Sequence, residues 1–164
     1  MDALEALRTR RSHRAFKPDP IDRALIEQIV DAGRLAATAR NEQPWEFVVV
    51  TDADARRAIA ETTDHGPFIA DAPVCIAVLA SDTKYYLEDG SAATQNILLA
   101  AHALDLAACW VAGDKKPYAP NILKQVGAPA DMKLVALVAV GRPAGDPPTP
   151  KKRTLADVIH WETF

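Results

Sequence analysis

The chain has two cysteines in 164 residues, and no CxxC pair or other metal or redox spacing surrounds them. Cys75 and Cys109 both fall in apolar runs and read as small core residues kept in a reducing compartment. No apolar stretch approaches the length of a membrane span, because the longest is interrupted by His102 and Asp105. GxGxxG, GxxxxGK[ST] and HExxH are all absent, which leaves no sequence-visible dinucleotide fingerprint, phosphate loop or zincin site. His13, His65, His102 and His160 are too scattered to form a metal site by spacing. Ser12, Ser81 and Ser91 lack nucleophile-elbow context. With 19 Lys and Arg against 22 Asp and Glu, the net charge is −3, so the whole molecule offers no electrostatic reason to bind nucleic acid. The opening MDALEALRTRR has no apolar core of the kind a signal peptide needs. The expectation is a cytoplasmic protein with neither a membrane nor a nucleic acid as partner. If it is an enzyme, a cofactor supplies the reactivity.

What is present centres on Ser91–Gly113. Between Ser91 and Leu104 only Ser91, Thr94, Gln95, Asn96 and His102 are polar, and a helix apolar nearly all round belongs in a core or an interface. That stretch makes about 21 Å of helix, enough to cross a small domain. Leu106–Val111 then reads as a buried strand, ended by Gly113 where backbone can lie close to something flat. Upstream, Asp2–Arg8 forms a short helix. Asp22 caps an amphipathic helix over Arg23–Ala36. Pro44 introduces the strand Trp45–Val50. A helix starts at Asp52 or Asp54 and runs to about Thr62, and Pro73 introduces the strand Val74–Leu79. SDTKYYLEDG is a polar approach to the central helix. Downstream come a short helix at Asn121–Val126, a strand at Lys133–Val140, and a proline-rich then basic arm over 141–164 with a short helix around Leu155–Ile159. The elements lack the even rhythm of a doubly wound sheet, so the reading is a single α+β domain. The arm has little core of its own and suits another surface, such as a partner subunit.

Arg8, Arg10, Arg11, Ser12 and Arg14 are the strongest chemical cluster. Guanidinium forks and a hydroxyl suit a terminal phosphate, although on this stretch alone a solvated basic turn is the slightly better reading. Lys151, Lys152 and Arg153 form a second basic cluster near the other terminus. Two small basic patches on an acidic molecule fit one small anion better than a polyanion. Asn41, Gln43 and Trp45 lead into a strand, and the amides of Asn41 and Gln43 suit the edge of a heterocycle, or the stretch is an ordinary Asn-initiated turn. Trp110 followed by Val111-Ala112-Gly113 offers backbone N–H groups to a flat ligand, or simply closes a strand.

RRSHRAF, ARNEQPWEFVVV, FIADAPVCIAVLA, DGSAATQNILLAAHALDLAACWVAG, VALVAVGRP and KKRTLADVIHW, in that order across nearly the whole chain, resemble the FMN-dependent nitroreductase family. The resemblance implies an α+β fold with a central, mostly antiparallel sheet flanked by helices. It implies an intertwined homodimer with FMN at the subunit interface and a carboxy-terminal arm around the partner. Carried over by position, Arg10, Ser12 and Arg14 match the FMN phosphate contacts, with Arg11 packed beside them, and Lys152 and Arg153 match the arm's contribution. Asn41 and Gln43 match residues near the pyrimidine edge and ribityl chain. Ala112 and Gly113 match the backbone amides that approach the reactive nitrogen of the flavin. The activity implied is NADH- or NADPH-driven reduction of electron-poor acceptors such as nitroaromatics, quinones or activated alkenes, with no side chain acting as acid or base. Flavin reductase, enoate reductase or dehalogenase chemistry on the same fold, or plain FMN storage, are its rivals. Ala37-Thr38 stands where the family commonly has Pro-Ser, and little sequence lies between Thr62 and Pro73, so an open active site is expected. Tyr85, Tyr86, Phe68 and Tyr118 are wall candidates, with core or interface packing as good a reading for each.

Overall fold

A computed structural model describes residues 1–164. Three of its helices start where short acidic side chains accept orphan N–H groups. Asp2, Asp22 and Asp52 accept from the amides of Glu5, Ala24 and Ala55 at 2.9, 3.0 and 2.9 Å, each cap worth on the order of 1 kcal/mol. These begin α1 (Ala3–Thr9), α2 (Arg23–Arg34) and α3 (Ala53–Thr62). The strands are β1 (Phe16–Lys17), β2 (Trp45–Val50), β3 (Val74–Ser81), β4 (Ala107–Ala112) and β5 (Met132–Pro143). The remaining helices are α4 (Tyr86–Ala103) and α5 (Ala119–Gln125).

The strands run β2-β3-β5-β4 across one sheet, with β1 paired to the last residues of β5, and every strand pair is antiparallel. α2 and α4 cover one face over Val74, Ile76, Val78, Val138 and Val140. α3, α5 and the turn Pro67–Ile69 cover the other over Ala77, Leu79, Leu134 and Leu137. Helices on both faces explain why β3 is apolar almost throughout. The α+β architecture is the one expected.

Two differences from the sequence reading matter for the site. The polar approach SDTKYYLEDG is partly helix: α4 begins at Tyr86, so Glu88, Asp89 and Gly90 lie in or next to its first turn. Acidic side chains are favourable there because the helix dipole is positive at that end. Pairing between β3 and β5 also shifts register: Val78 faces Ala136 but Leu79 faces Leu134, leaving Val135 as a bulge. The extra residue presses toward α4, where a Cβ on residue 90 would sit 2.6 Å from Val135 Cγ2. Gly90 is what lets helix and bulge meet.

α4 buries Ala93, Thr94, Ile97, Leu98 and Ala101 against the sheet, while Ala92, Leu99 and Ala100 stay half-buried on its other side. None of residues 144–164 is buried, and Leu155, Val158, Ile159, Trp161 and Phe164 stand exposed there. The helix expected in this arm is a single 3-10 turn, Leu155–Asp157.

Candidate functional site

The site grows from the outer edge of β4. After α1 the chain turns back along that edge: Ser12 bridges Ala108 in parallel, and the His13 amide donates to the Ala108 carbonyl at 3.1 Å. This lays Arg8, Arg10, Arg11, Ser12 and Arg14 around a cavity of about 510 Å³, closed on its far side by Pro148, Pro150 and Lys152 of the arm. The two basic clusters separated by most of the chain thus meet, through Lys152 but not Arg153, whose guanidinium donates to the Asp157 carbonyl inside the arm. Arg11 donates to the carbonyls of Arg8 and Arg10 at 2.8 Å each, closing the end of α1.

None of Arg8, Arg10, Arg11, Arg14 and Lys152 takes part in a salt bridge. Neighbouring groups register that unbalanced positive charge. Burial is the main cause of the lowered His102 pKa, and Arg10 adds to it. Burial also raises the Cys109 thiol, against a pull downward from Arg14 and Arg10. Uncompensated guanidiniums around a recess are the electrostatics of an anion site.

Arg14, with its guanidinium 5.9 Å from the centre of the Phe68 ring, also borders a second recess of about 470 Å³. Phe68, Trp110, Ala112, Tyr118 and His65 line it. Phe68 and Tyr118 therefore serve both as wall and as core. The β4 ladder decides which amides face this recess. Gly113 N–H donates to Val135 O at 3.1 Å, and partners alternate along an antiparallel pair. Ala112 and Trp110, of opposite parity, therefore aim N–H and C=O away from β5, toward the open edge. Tyr118 donates its hydroxyl to the Ala112 carbonyl, which leaves the Ala112 N–H facing the recess. The close approach that Gly113 permits is to Leu134 and Val135 inside the sheet, since a Cβ there would lie 2.6 Å from Leu134 Cγ. The flat partner expected at Gly113 is thus protein.

Asn41 and Gln43 are not brought to this edge. They lie in the loop before β2, at the opposite side of the sheet, and both are exposed. Gln43 borders a separate groove beside Trp45 and Val30. Their backbone is unusual: Arg40, Asn41 and Gln43 have φ of 54°, 58° and 50°, a left-handed region that non-glycine residues enter at a cost. The loop is tied down by Asp89, which the sequence reading passed over. Its Oδ1 accepts from the Ala39 amide at 3.0 Å while Oδ2 is buried without a partner. One turn earlier Tyr86 donates its hydroxyl to Asp114 Oδ1 at 2.6 Å. That bond is the main reason the phenol is pushed up to about 12. The signal for Asp89 was its acidic side chain next to a glycine at the mouth of an apolar helix.

The sequence model of the Nitroreductase family matches residues 7–65 and 62–142. A protein of Methanothermobacter thermautotrophicus, provisionally named an NADH dehydrogenase/NAD(P)H nitroreductase, is 34% identical over the whole of this chain and 88% of its own. A crystal structure from Parabacteroides distasonis with the same provisional name superposes with a TM-score of 0.92 at 30% identity, covering 98% of each chain. Another from Desulfovibrio desulfuricans, provisionally named a nitroreductase and solved in complex with FMN, gives 0.87 at 31% identity over 100% of this chain and 99% of its own. A cation-lined recess continuing past Arg14 to an open strand edge, on a fold shared this closely and with a sequence matched from Leu7 to Arg142, leads to one assignment: the chain belongs to the nitroreductase family.

Proposed function

We propose that this protein is an FMN-dependent NAD(P)H oxidoreductase that reduces small electron-poor acceptors and works as a cytoplasmic homodimer. The observation that carries the reading is the unneutralised cation cavity that continues, through Arg14, to the outward-facing Ala112 amide. Its donor set fits FMN at both ends. Arg10, Ser12, Arg14 and Lys152 would hold the phosphate, with Arg11 bracing the turn that presents them. The Ala112 N–H would meet the ring, where a fixed donor stabilises negative charge as it builds. When bound, FMN supplies the redox chemistry, accepting electrons from NADH or NADPH and passing them to a nitroaromatic, quinone or activated alkene. In this reading protons come from water, and His65 and Tyr118, which line the recess at the edge of β4, are assigned no acid or base role. Asn41 and Gln43, across the sheet from β4, would reach the FMN of a second copy. The half-buried side of α4 and the exposed apolar side chains of the arm suit the dimer that this requires.

The test is the visible spectrum of the purified protein, supplied with FMN, before and after anaerobic NADH or NADPH. Prompt bleaching supports the reading. A flavin spectrum that persists favours storage, and a protein that takes up no FMN refutes the cofactor assignment.

A further inference from the structure

We propose that the first turn of α4 positions both FMN-contacting segments of the chain: Tyr86 holds the turn that follows Ala112, and Asp89 holds the loop whose Asn41 and Gln43 would reach the FMN of a second copy. The proposal rests on the reading that these two segments touch FMN. Positions 86 and 89 are three apart and so lie on neighbouring parts of one helix face. From that face the Tyr86 hydroxyl reaches Asp114 Oδ1 at 2.6 Å, and Asp89 Oδ1 reaches the Ala39 amide at 3.0 Å. The next residue, Gly90, packs on Val135, and the Val135 carbonyl accepts from the amides of Gly113 and Asp114 at 3.1 and 3.3 Å. The turn therefore grips the end of β4 twice, once through a side chain and once through the bulge.

Asp89 has no reason to be acidic on packing grounds. It is 5% exposed and has one oxygen without a partner, an arrangement that an apolar residue of similar volume would avoid. Beyond its favourable place at the positive end of the helix dipole, the carboxylate does what an apolar side chain cannot: it fixes the Ala39 amide. This is the only side-chain hydrogen bond from residues 38–43 to another element. The left-handed backbone of Arg40, Asn41 and Gln43 persists only where its surroundings determine it, and Asp89 supplies that constraint at the start of the run. Asp114 plays the corresponding part at β4: its carboxylate takes the Tyr86 bond and its amide joins the bulge. Neither Tyr86 nor Asp89 lines the cation cavity or the Phe68 recess. Both act through the segments they hold.

The experiment uses the full-length protein, stripped of flavin and titrated with FMN, with the flavin midpoint potential measured on the reloaded protein. Tyr86→Phe and Asp89→Ala each remove one hydrogen bond to a charged group, and each is expected to raise the FMN dissociation constant about tenfold and to shift the potential. Asp89→Asn keeps an oxygen acceptor for Ala39 and restores both values toward wild type. Arg10→Ala, at the phosphate end, weakens binding and leaves the potential where it was. Wild-type potential in both Tyr86→Phe and Asp89→Ala, with FMN bound, overturns the proposal alone. So does a shifted potential that Asp89→Asn fails to restore, since that makes the effect one of general loosening. A wild-type protein that binds no FMN overturns the underlying reading and the proposal with it.

Discussion

Replacing Gly90 with Ala tests the contact on which the geometry beside β4 depends. An added methyl would lie 2.6, 3.0 and 3.1 Å from Cγ2, Cγ1 and Cβ of Val135, all well inside ordinary carbon contact. Val135 cannot swing aside freely: it is β-branched, with few rotamers, and its carbonyl holds the amides of Gly113 and Asp114. Overpacking of this kind costs roughly 1–3 kcal/mol. Against it stands the better helix propensity of Ala, worth up to about 1 kcal/mol. The balance is a loss of about 1–2 kcal/mol, which for a chain of this size lowers Tm by roughly 2–8 °C. Thermal unfolding of the flavin-free protein followed by circular dichroism measures it. The double variant Gly90→Ala, Val135→Ala gives the methyl room and should lose less than the sum of its single variants, because the two sites share one contact. A Tm at or above wild type for Gly90→Ala, or strict additivity in the double variant, would falsify this account of the bulge.

Arg10→Ala and Arg14→Ala each remove one charged donor from the anion recess. Each should weaken FMN binding by about 10- to 100-fold while the far-ultraviolet spectrum is unchanged, and equilibrium dialysis that finds undiminished retention would refute the phosphate assignment. A pH effect follows from His13 and His102, both of whose pKa values are lowered, chiefly by burial, then by His102 for His13 and by Arg10 for His102. Below about pH 6.5 the unfolded chain protonates these rings before the folded one does. Stability of the flavin-free protein therefore falls as pH drops through that range. His13→Gln with His102→Gln should flatten the Tm-against-pH profile there; an unaltered slope would dismiss the two rings as its source.

Elements whose boundaries are set by local chemistry could be read directly from residues. Pro44 and the β-branched run after it define β2 to the residue, and Asp22 and Asp52 mark helix starts because a carboxylate beside free amides is a local event. From residues alone α4 begins late, because Tyr86, Glu88, Asp89 and Gly90 look like a loop when the bulge that accepts Gly90 is out of sight. The cation cavity is legible only from two clusters taken together, since two small basic patches on an acidic chain fit one small anion better than a polyanion. That Lys152 enters it and Arg153 does not depends on the path of the arm, which no residue pattern encodes. Ala112 and Gly113 could not be told apart either. Which amide faces outward is a matter of strand parity against β5, and the bulge at Val135 is a property of pairing between distant segments.

The wall formed by Pro148, Pro150 and Lys152 has a thermodynamic consequence of its own. It belongs to a stretch with no buried residue, so that stretch derives little order from the core. An anion that Lys152 helps to hold would also fasten the arm to the body, and by linkage each tenfold rise in free anion above its dissociation constant adds about 1.4 kcal/mol to the fastened state. Occupancy of the recess and resistance of residues 144–164 to proteolysis then become two readings of a single equilibrium.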